Sequence, residues 1–417
     1  MTPIPNPILR GTARALARAA GLTPVLLATL VAPAQAETYY QLSGSMSLEG
    51  RFFADDAPYA GQSNRNGTSM AFSPEFYWEW ADGAHSLSAT PFLRVDSEDD
   101  ARTHNDLREL LYLYAGDDIE FRAGVSRVFW GVTEFQNPVD VVNQIDGVED
   151  LTGDAKLGQP MVSLTFIRDW GVIDAMVLPG FRERTYPGVA GRLRAPLVVD
   201  VDAATFESDD EADHVDYALR WSHSLGDFDL GLHAFSGTNR TPTLQPVVGG
   251  GGAPTALAPF YPQMDQVGLD VQATLGAWLW KAEYVSRDQQ DERFALAQAG
   301  VEYTFYSLAD GRFDLGVLVE AGWDERGTDA GDNILQNDVG AGLRFAFNDE
   351  ASSDMLIGVI EDQDFGSRTV QLEASTRLGD SWRLSLDIRS VSADDSNDPL
   401  AAFDADDHAQ IRLERFF

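Results

Sequence analysis

From residue 40 onward, apolar and polar side chains alternate along the chain with a period of two, the repeat of a strand whose faces meet different surroundings. Val339, Ala341, Leu343, Phe345 and Phe347 fall on one face, and Asp338, Gly340, Gly342, Arg344 and Asn348 on the other. Trp382, Leu384, Leu386 and Ile388 likewise oppose Ser381, Arg383, Ser385, Asp387 and Arg389. In the last segment Ala409, Ile411, Leu413 and Phe417 oppose His408, Gln410, Arg412 and Glu414. Bounded by turn residues, the pattern predicts about eighteen strands, sixteen at the least. They lie at 40–53, 70–81, 85–96, 105–115, 118–129, 159–168, 170–179, 213–224, 226–236, 263–275, 277–287, 294–308, 312–323, 334–348, 353–362, 367–379, 381–392 and 405–417.

The connections carry a second signal. After even-numbered strands they are tight, as at Asp82-Gly83, Gly116-Asp117, Gly226-Asp227, Asp310-Gly311 and Gly379-Asp380. After odd-numbered strands they are usually long, at 54–69, 130–158, 180–212, 237–262, 324–333 and 393–404. An all-β chain that alternates in this way predicts a transmembrane antiparallel β-barrel, with short turns in the periplasm, long loops outside and an apolar outer face. A soluble all-β repeat has no reason to alternate so. Aromatic residues near strand ends, such as Tyr39-Tyr40, Tyr77-Trp78, Trp278, Trp280 and Phe416-Phe417, fit interfacial girdles at headgroup depth. The 237–262 connection, with Gly249 to Gly252 and five prolines, is expected outside the lipid, where its backbone groups can be solvated.

The charged residues on the polar faces then become lumen lining. Arg94, Arg122, Arg220, Arg344, Arg377, Arg389 and Arg412 are the candidate lumen arginines. The third long connection, 130–158, holds Glu134, Asp140, Asp146, Glu149, Asp150 and Asp154 against a single lysine, Lys156. Folded inward, it would form a constriction with acids facing arginines, and the field across it would orient dipolar solutes. Asn137, Pro138 and Asp140 read as N-cap, N1 and N3 of a short helix in this loop. The alternative is a solvated acidic loop outside. In the fourth loop Arg182, Arg184, Arg192 and Arg194 surround Tyr186-Pro187-Gly188, a candidate capture site for a carboxylate or sugar-acid solute unless they pair with nearby acids.

Before the first strand, Arg10, Arg14 and Arg18 precede an apolar run from Leu22 to Val31 and Ala34-Gln35-Ala36, the layout of an export signal over residues 1–36, leaving a barrel over 37–417. Removing its three arginines leaves 27 basic residues against 66 acidic ones, a net charge of −39. So acidic a chain makes a poor nucleic-acid partner. It holds zero cysteines, and Lys156 and Lys281 are its lysines. The six histidines are scattered, with no Gly-x-Ser-x-Gly elbow, so no enzyme activity and no catalytic residue is assigned. The acid runs Glu98-Asp99-Asp100 and Asp404, Asp406, Asp407 lack the spacing of a dedicated cation loop, and neither metal nor cofactor is expected.

The stretch Trp130 to Asn143, reading Trp-Gly-Val-Thr-Glu-Phe-Gln-Asn-Pro-Val-Asp-Val-Val-Asn, resembles a segment of porin-like outer-membrane proteins of proteobacteria, many without an assigned substrate. The terminal Phe417 similarly resembles the C-terminal signal that the barrel-assembly machinery reads in such proteins. The resemblance implies an integral barrel in the outer membrane of a Gram-negative bacterium, surrounded by lipid and lipopolysaccharide. It also implies passive diffusion of small hydrophilic, charged or neutral solutes through a channel, and leaves homo-oligomerisation open. The second reading is a plugged, non-conducting barrel serving as receptor, adhesin or structural envelope protein.

Overall fold

A computed structural model describes residues 38–150, 153–331 and 333–417. The predicted export signal, residues 1–36, lies outside the described residues. Twenty-one strands run in chain order: β1 Tyr39–Phe53, β2 Gly67–Trp80, β3 His85–Asp96, β4 His104–Ala115, β5 Ile119–Ser126, β6 Gln159–Arg168, β7 Gly171–Pro179, β8 Thr205–Phe206, β9 Val215–Leu225, β10 Phe228–Thr238, β11 Thr243–Val248, β12 Pro254–Tyr261, β13 Gln263–Leu275, β14 Trp278–Gln289, β15 Glu292–Ser307, β16 Phe313–Asp324, β17 Asp338–Phe347, β18 Asp354–Asp362, β19 Arg368–Leu378, β20 Trp382–Ser392 and β21 His408–Phe416. Eighteen of them form one sheet, each paired antiparallel with its chain neighbour once β8, β11 and β12 are set aside. β1 closes it by pairing with β21, from Ser45↔Phe416 to Phe53↔His408. Closure removes the sheet edges, so every strand backbone is satisfied within the wall.

The two faces separate as the alternation requires. Leu48, Leu93, Val95, Leu219, Leu232 and Val267 are exposed on the outside, while Glu49, Arg94, His233, Asp270, Glu283 and Glu320 are buried inside. A closed barrel that is apolar outside and charged inside is a transmembrane one. Aromatic pairs gather at the rim of tight turns, including Trp278 against Tyr303 at 4.6 Å and Phe345 against Phe347 at 6.1 Å.

Four details differ from the pattern. Two connections on the long-loop rim, 290–291 and 363–367, are short. The 237–262 connection is no irregular loop: β11 and β12 form a hairpin beyond the wall, extended by β8, and Gly249 to Gly252 make its turn. Pro246 and Pro254 masked it, because proline argues against a central strand and is tolerated only at edges. Third, β5 ends at Ser126, so the long third connection begins at 127. Fourth, the helix capped by Asn137 is absent: residues 137–140 make one turn, with Asp140 N–H donating to Asn137 O at 3.0 Å.

Candidate functional site

The third connection leaves β5 through a neck held by Asn143. This fully buried side chain accepts from Val128 N–H at 2.8 Å and donates to Ser126 O and Leu157 O, both at 2.9 Å. Gly131 follows with φ +144°, and a Cβ there would run into the Asn137 side chain, which is why glycine stands at this bend. Beyond it the backbone donates to carboxylates of the opposite wall. Glu283 on β14 accepts from Val132 N–H at 2.6 Å, Thr133 N–H at 3.1 Å and the Thr133 hydroxyl at 2.9 Å. Glu320 on β16 accepts from Glu134 N–H at 2.9 Å and Phe135 N–H at 3.1 Å. These bonds fix the approach to Asn137, and past its single turn the donors go elsewhere, Ile145 N–H to Gln144 Oε1 and Asp146 N–H to Ala155 O, both at 2.8 Å, so no helix propagates.

Phe135 lies over two glycines of the wall; a Cβ on Gly340 would run into its ring, and one on Gly358 would stand 3.3 Å from it. Glu134 pairs with Arg344 at 2.5 Å and with Lys281 at 3.7 Å. Then the loop turns apolar: Trp130, Val139, Val141 and Val142 pack with Met161, Met176, Phe235, Met264 and Val285 of the wall. That cluster packs the loop against the wall from β6 to β15.

The second half of the connection turns back on itself, Asp146 N–H donating to Ala155 O at 2.8 Å and Leu157 N–H to Gln144 O at 2.8 Å. Its acids meet the β3–β4 wall. Asp146 pairs with Arg108 at 2.5 Å and accepts from the Thr185 hydroxyl at 2.6 Å, and Glu149 pairs with Arg94 at 2.7 Å. Burial pushes the Asp146 carboxyl up, but His104, Arg108 and Thr185 outweigh it and hold the group well below the usual carboxylate range. Asp140 pairs with Lys156 at 3.2 Å, yet burial dominates there and its carboxyl sits above its ordinary value.

On the remaining side stands a polar cavity of about 540 Å³. Asp150, Asp154 and Glu149 of the loop face Arg51, Arg389 and Arg412 of β1, β20 and β21 across it. Glu49 is the hub of this wall, accepting from Arg102 at 2.6 Å and Arg412 at 2.9 Å with Arg94 at 3.5 Å. Arg389 pairs with Glu373 and Asp387, both at 3.2 Å.

The other sequence candidates sit apart. Arg220 pairs with Asp270 at 2.8 Å under Trp130, Arg122 pairs with Glu120, and Arg377 is exposed at the tight-turn rim. The four fourth-loop arginines form no common patch. Arg182 pairs with Asp106 at 2.7 Å, Arg184 stacks near Tyr186, Arg192 pairs with Asp406 at 2.7 Å, and Arg194 donates to four backbone carbonyls. Arg192 and Arg194 are buried. The carboxylates that meet Arg182 and Arg192 lie in other segments, not among the acids of the fourth loop itself.

Arg51, Arg102 and Arg108 were absent from the sequence set. Arg108 stands where the register shifts against Thr90/Pro91, so that a bulge breaks the alternation that would have revealed it. Arg102 lies in the connection 97–103, outside any strand pattern.

No family model matches the chain, and no curated protein matches it. Solved structures do. OpdQ of Pseudomonas aeruginosa superposes with TM-score 0.52 at 11% identity, covering 91% of this chain and 98% of that one. A Rh. blastica porin variant gives 0.45 at 12%, covering 91% and 100%. Wzi of Escherichia coli, described as a carbohydrate-binding outer-membrane barrel in capsule assembly, gives 0.49 at 10%, covering 88% and 83%. The likeness to OpdQ is one of fold.

Proposed function

We propose that the chain is an outer-membrane channel for passive diffusion of small hydrophilic solutes, with connection 130–158 as its constriction, and that it acts without catalysis. The observation that carries this reading is the division of the lumen. An apolar cluster packs the loop against one side of the wall, and on the other side a charged cavity of about 540 Å³ stands between loop acids and wall arginines. Such a field favours solutes that carry a dipole or charge. The setting is the outer membrane of a Gram-negative bacterium, reached through the assembly machinery, with lipid and lipopolysaccharide around the wall.

Reversal potentials across a salt gradient test it. In the triple variant Asp140→Asn, Asp146→Asn, Glu149→Gln, the cations Lys156, Arg108 and Arg94 each lose one carboxylate partner, Arg108 keeping Asp106 and Arg94 keeping Glu49. Cation preference should fall and single-channel conductance should change; charges lying outside the passage would act weakly beyond a Debye length of about 8 Å. Values indistinguishable from wild type would remove the loop from permeation control.

One observation favours the plugged barrel as the second reading. Residues 187–193 form part of the cavity lining, pinned by Gly188 N–H to Asp99 at 3.1 Å, Ser63 N–H to Ala190 O at 2.9 Å, and Arg192 to Asp406. Absence of any conductance steps in a planar bilayer would select that reading.

A further inference from the structure

At the long-loop rim, Asp338 and Asp362 stand directly opposite each other on β17 and β18, and Ser367 is next in the same row, where Asp362 N–H donates to Ser367 O at 2.9 Å. All three side chains point inward and are buried, at 5%, 2% and 2% exposure. Asp398, 3% exposed, is near enough for its charge, with those of Asp362 and Asp364, to act on Asp338. Each carboxylate is half satisfied. Asp338 Oδ2 accepts from Asn337 N–H, Asp362 Oδ1 from Asp364 N–H and Phe365 N–H, and Asp398 Oδ1 from Leu400 N–H. The remaining oxygens, Asp338 Oδ1, Asp362 Oδ2 and Asp398 Oδ2, have no hydrogen-bond partner among the described residues. Ser367 Oγ and Gln336 Oε1 are orphaned in the same way, Gln336 being 1% exposed and two residues before Asp338 on the same side of the chain.

Elsewhere in the lumen buried acids are compensated: Glu49, Asp106, Asp146, Asp216, Asp270 and Asp324 each have an arginine, and Glu283 has backbone and hydroxyl donors instead. None of Asp338, Asp362 and Asp398 has a lysine or arginine among the described ion pairs. Like charges side by side in a low-dielectric setting are costly unless a cation or a shared proton joins them. Five orphaned oxygens, two of them neutral, are hard donors of the kind that calcium takes, without nitrogen or sulfur, and water would complete its six to eight ligands. No three acidic or histidine side chains converge closely enough to hold an ion as they stand among the described residues. The core of the site is therefore the facing pair, completed by neutral oxygens.

We infer that Asp338 and Asp362, with Ser367, Gln336 and the nearby Asp398, form a calcium-type divalent-cation site that ties β17, β18 and the start of β19 to the connection 393–407. It is independent of permeation and departs from the sequence expectation that the chain needs no metal. The test uses the full mature protein folded in detergent free of lipopolysaccharide, with Ca²⁺ as the probe. Ca²⁺ should raise the thermal midpoint in a saturable way and EGTA should reverse it. Mg²⁺ at equal concentration should do less, since it keeps its waters and demands octahedral geometry. Asp338→Asn/Asp362→Asn should lose the Ca²⁺ response yet match or exceed the wild-type midpoint in EGTA, because the repulsion is gone. Asp398→Asn, which leaves the strand pair intact, should weaken the response. An unresponsive wild type would overturn the proposal and leave a shared proton as the remedy for the pair. A response kept in the double variant would place the ion elsewhere and overturn it equally.

Discussion

Removing Glu283 should release the first half of connection 130–158 and leave the second half seated. Its carboxylate accepts three short bonds from Val132 N–H, Thr133 N–H and the Thr133 hydroxyl, at 2.6, 3.1 and 2.9 Å. Hydrogen bonds to a charged group contribute about 1.5–3 kcal/mol each, so Glu283→Ala forgoes roughly 4–9 kcal/mol of docking. Lumen water entering the gap restores part of that. Even a net loss of about 3 kcal/mol speeds local opening roughly a hundredfold, at 1.4 kcal/mol per tenfold. The stretch beyond is held differently: Val139 and Val142 are 0% exposed, and burial of such a side chain contributes about 1.5–3 kcal/mol. Hydrogen–deuterium exchange on the detergent-folded protein should therefore show faster exchange over 131–136, with 141–148 and the wall strands unchanged. Glu283→Gln, which keeps one neutral acceptor, should fall between. Unchanged protection over 131–136 in the alanine variant would refute the assignment of Glu283 as the anchor.

The C-terminus and the acid response give further tests. Phe417 exchanges two backbone hydrogen bonds with Gly44, at 3.1 and 3.2 Å, and stacks on Phe72 at 6.0 Å where the barrel closes; its deletion should reduce heat-modifiable barrel on a gel, and wild-type levels would count against a role in assembly. Asp146 has its folded carboxyl held below the ordinary range, so its stabilisation is complete above an unfolded pKa of about 4 and is lost only as pH falls through the lower folded value. Loop protection should accordingly stay level from pH 8 to 5 and drop in strong acid, and Asp146→Asn should abolish that drop; a wild-type drop near neutrality would contradict the assignment.

Strand number, order and facing were legible because a barrel wall in lipid imposes one rule at every position: Leu384 must be outside if Ser385 is inside. All eighteen wall strands lie where the period-two pattern puts them, within a few residues. The interior of the 130–158 connection was not legible. Asn137 and Pro138 favour a helix locally, but past one turn the backbone donors are taken where the connection folds back, Asp146 N–H by Ala155 O and Leu157 N–H by Gln144 O. Arginines were legible as a class and not as partners. Arg192 reads as a capture residue beside Tyr186, whereas its carboxylate, Asp406, comes from the far end of the chain. Nothing in a single sequence marks such long-range pairs.

The same pairings decide how wide a passage eighteen strands can leave. A barrel of this size could enclose a broad aqueous lumen, yet Trp130, Val139, Val141 and Val142 fill one side of it against Met161, Met176, Phe235 and Val285. The open space is displaced toward β1 and β19 to β21, where Arg51, Arg389 and Arg412 face the loop acids. Its extent is thus set by the gap between residues 147–150, 154 and 155 and that wall, not by strand count. In the proposed channel, solute selection would depend on how firmly the loop is seated, and its seat is made of two unlike parts: carboxylate acceptors at Glu283 and Glu320, and an apolar cluster that no change of charge would loosen. Variants at the carboxylates should alter conductance noise and selectivity while the lumen stays half filled; only substitutions within the apolar cluster can widen the barrel toward its full diameter.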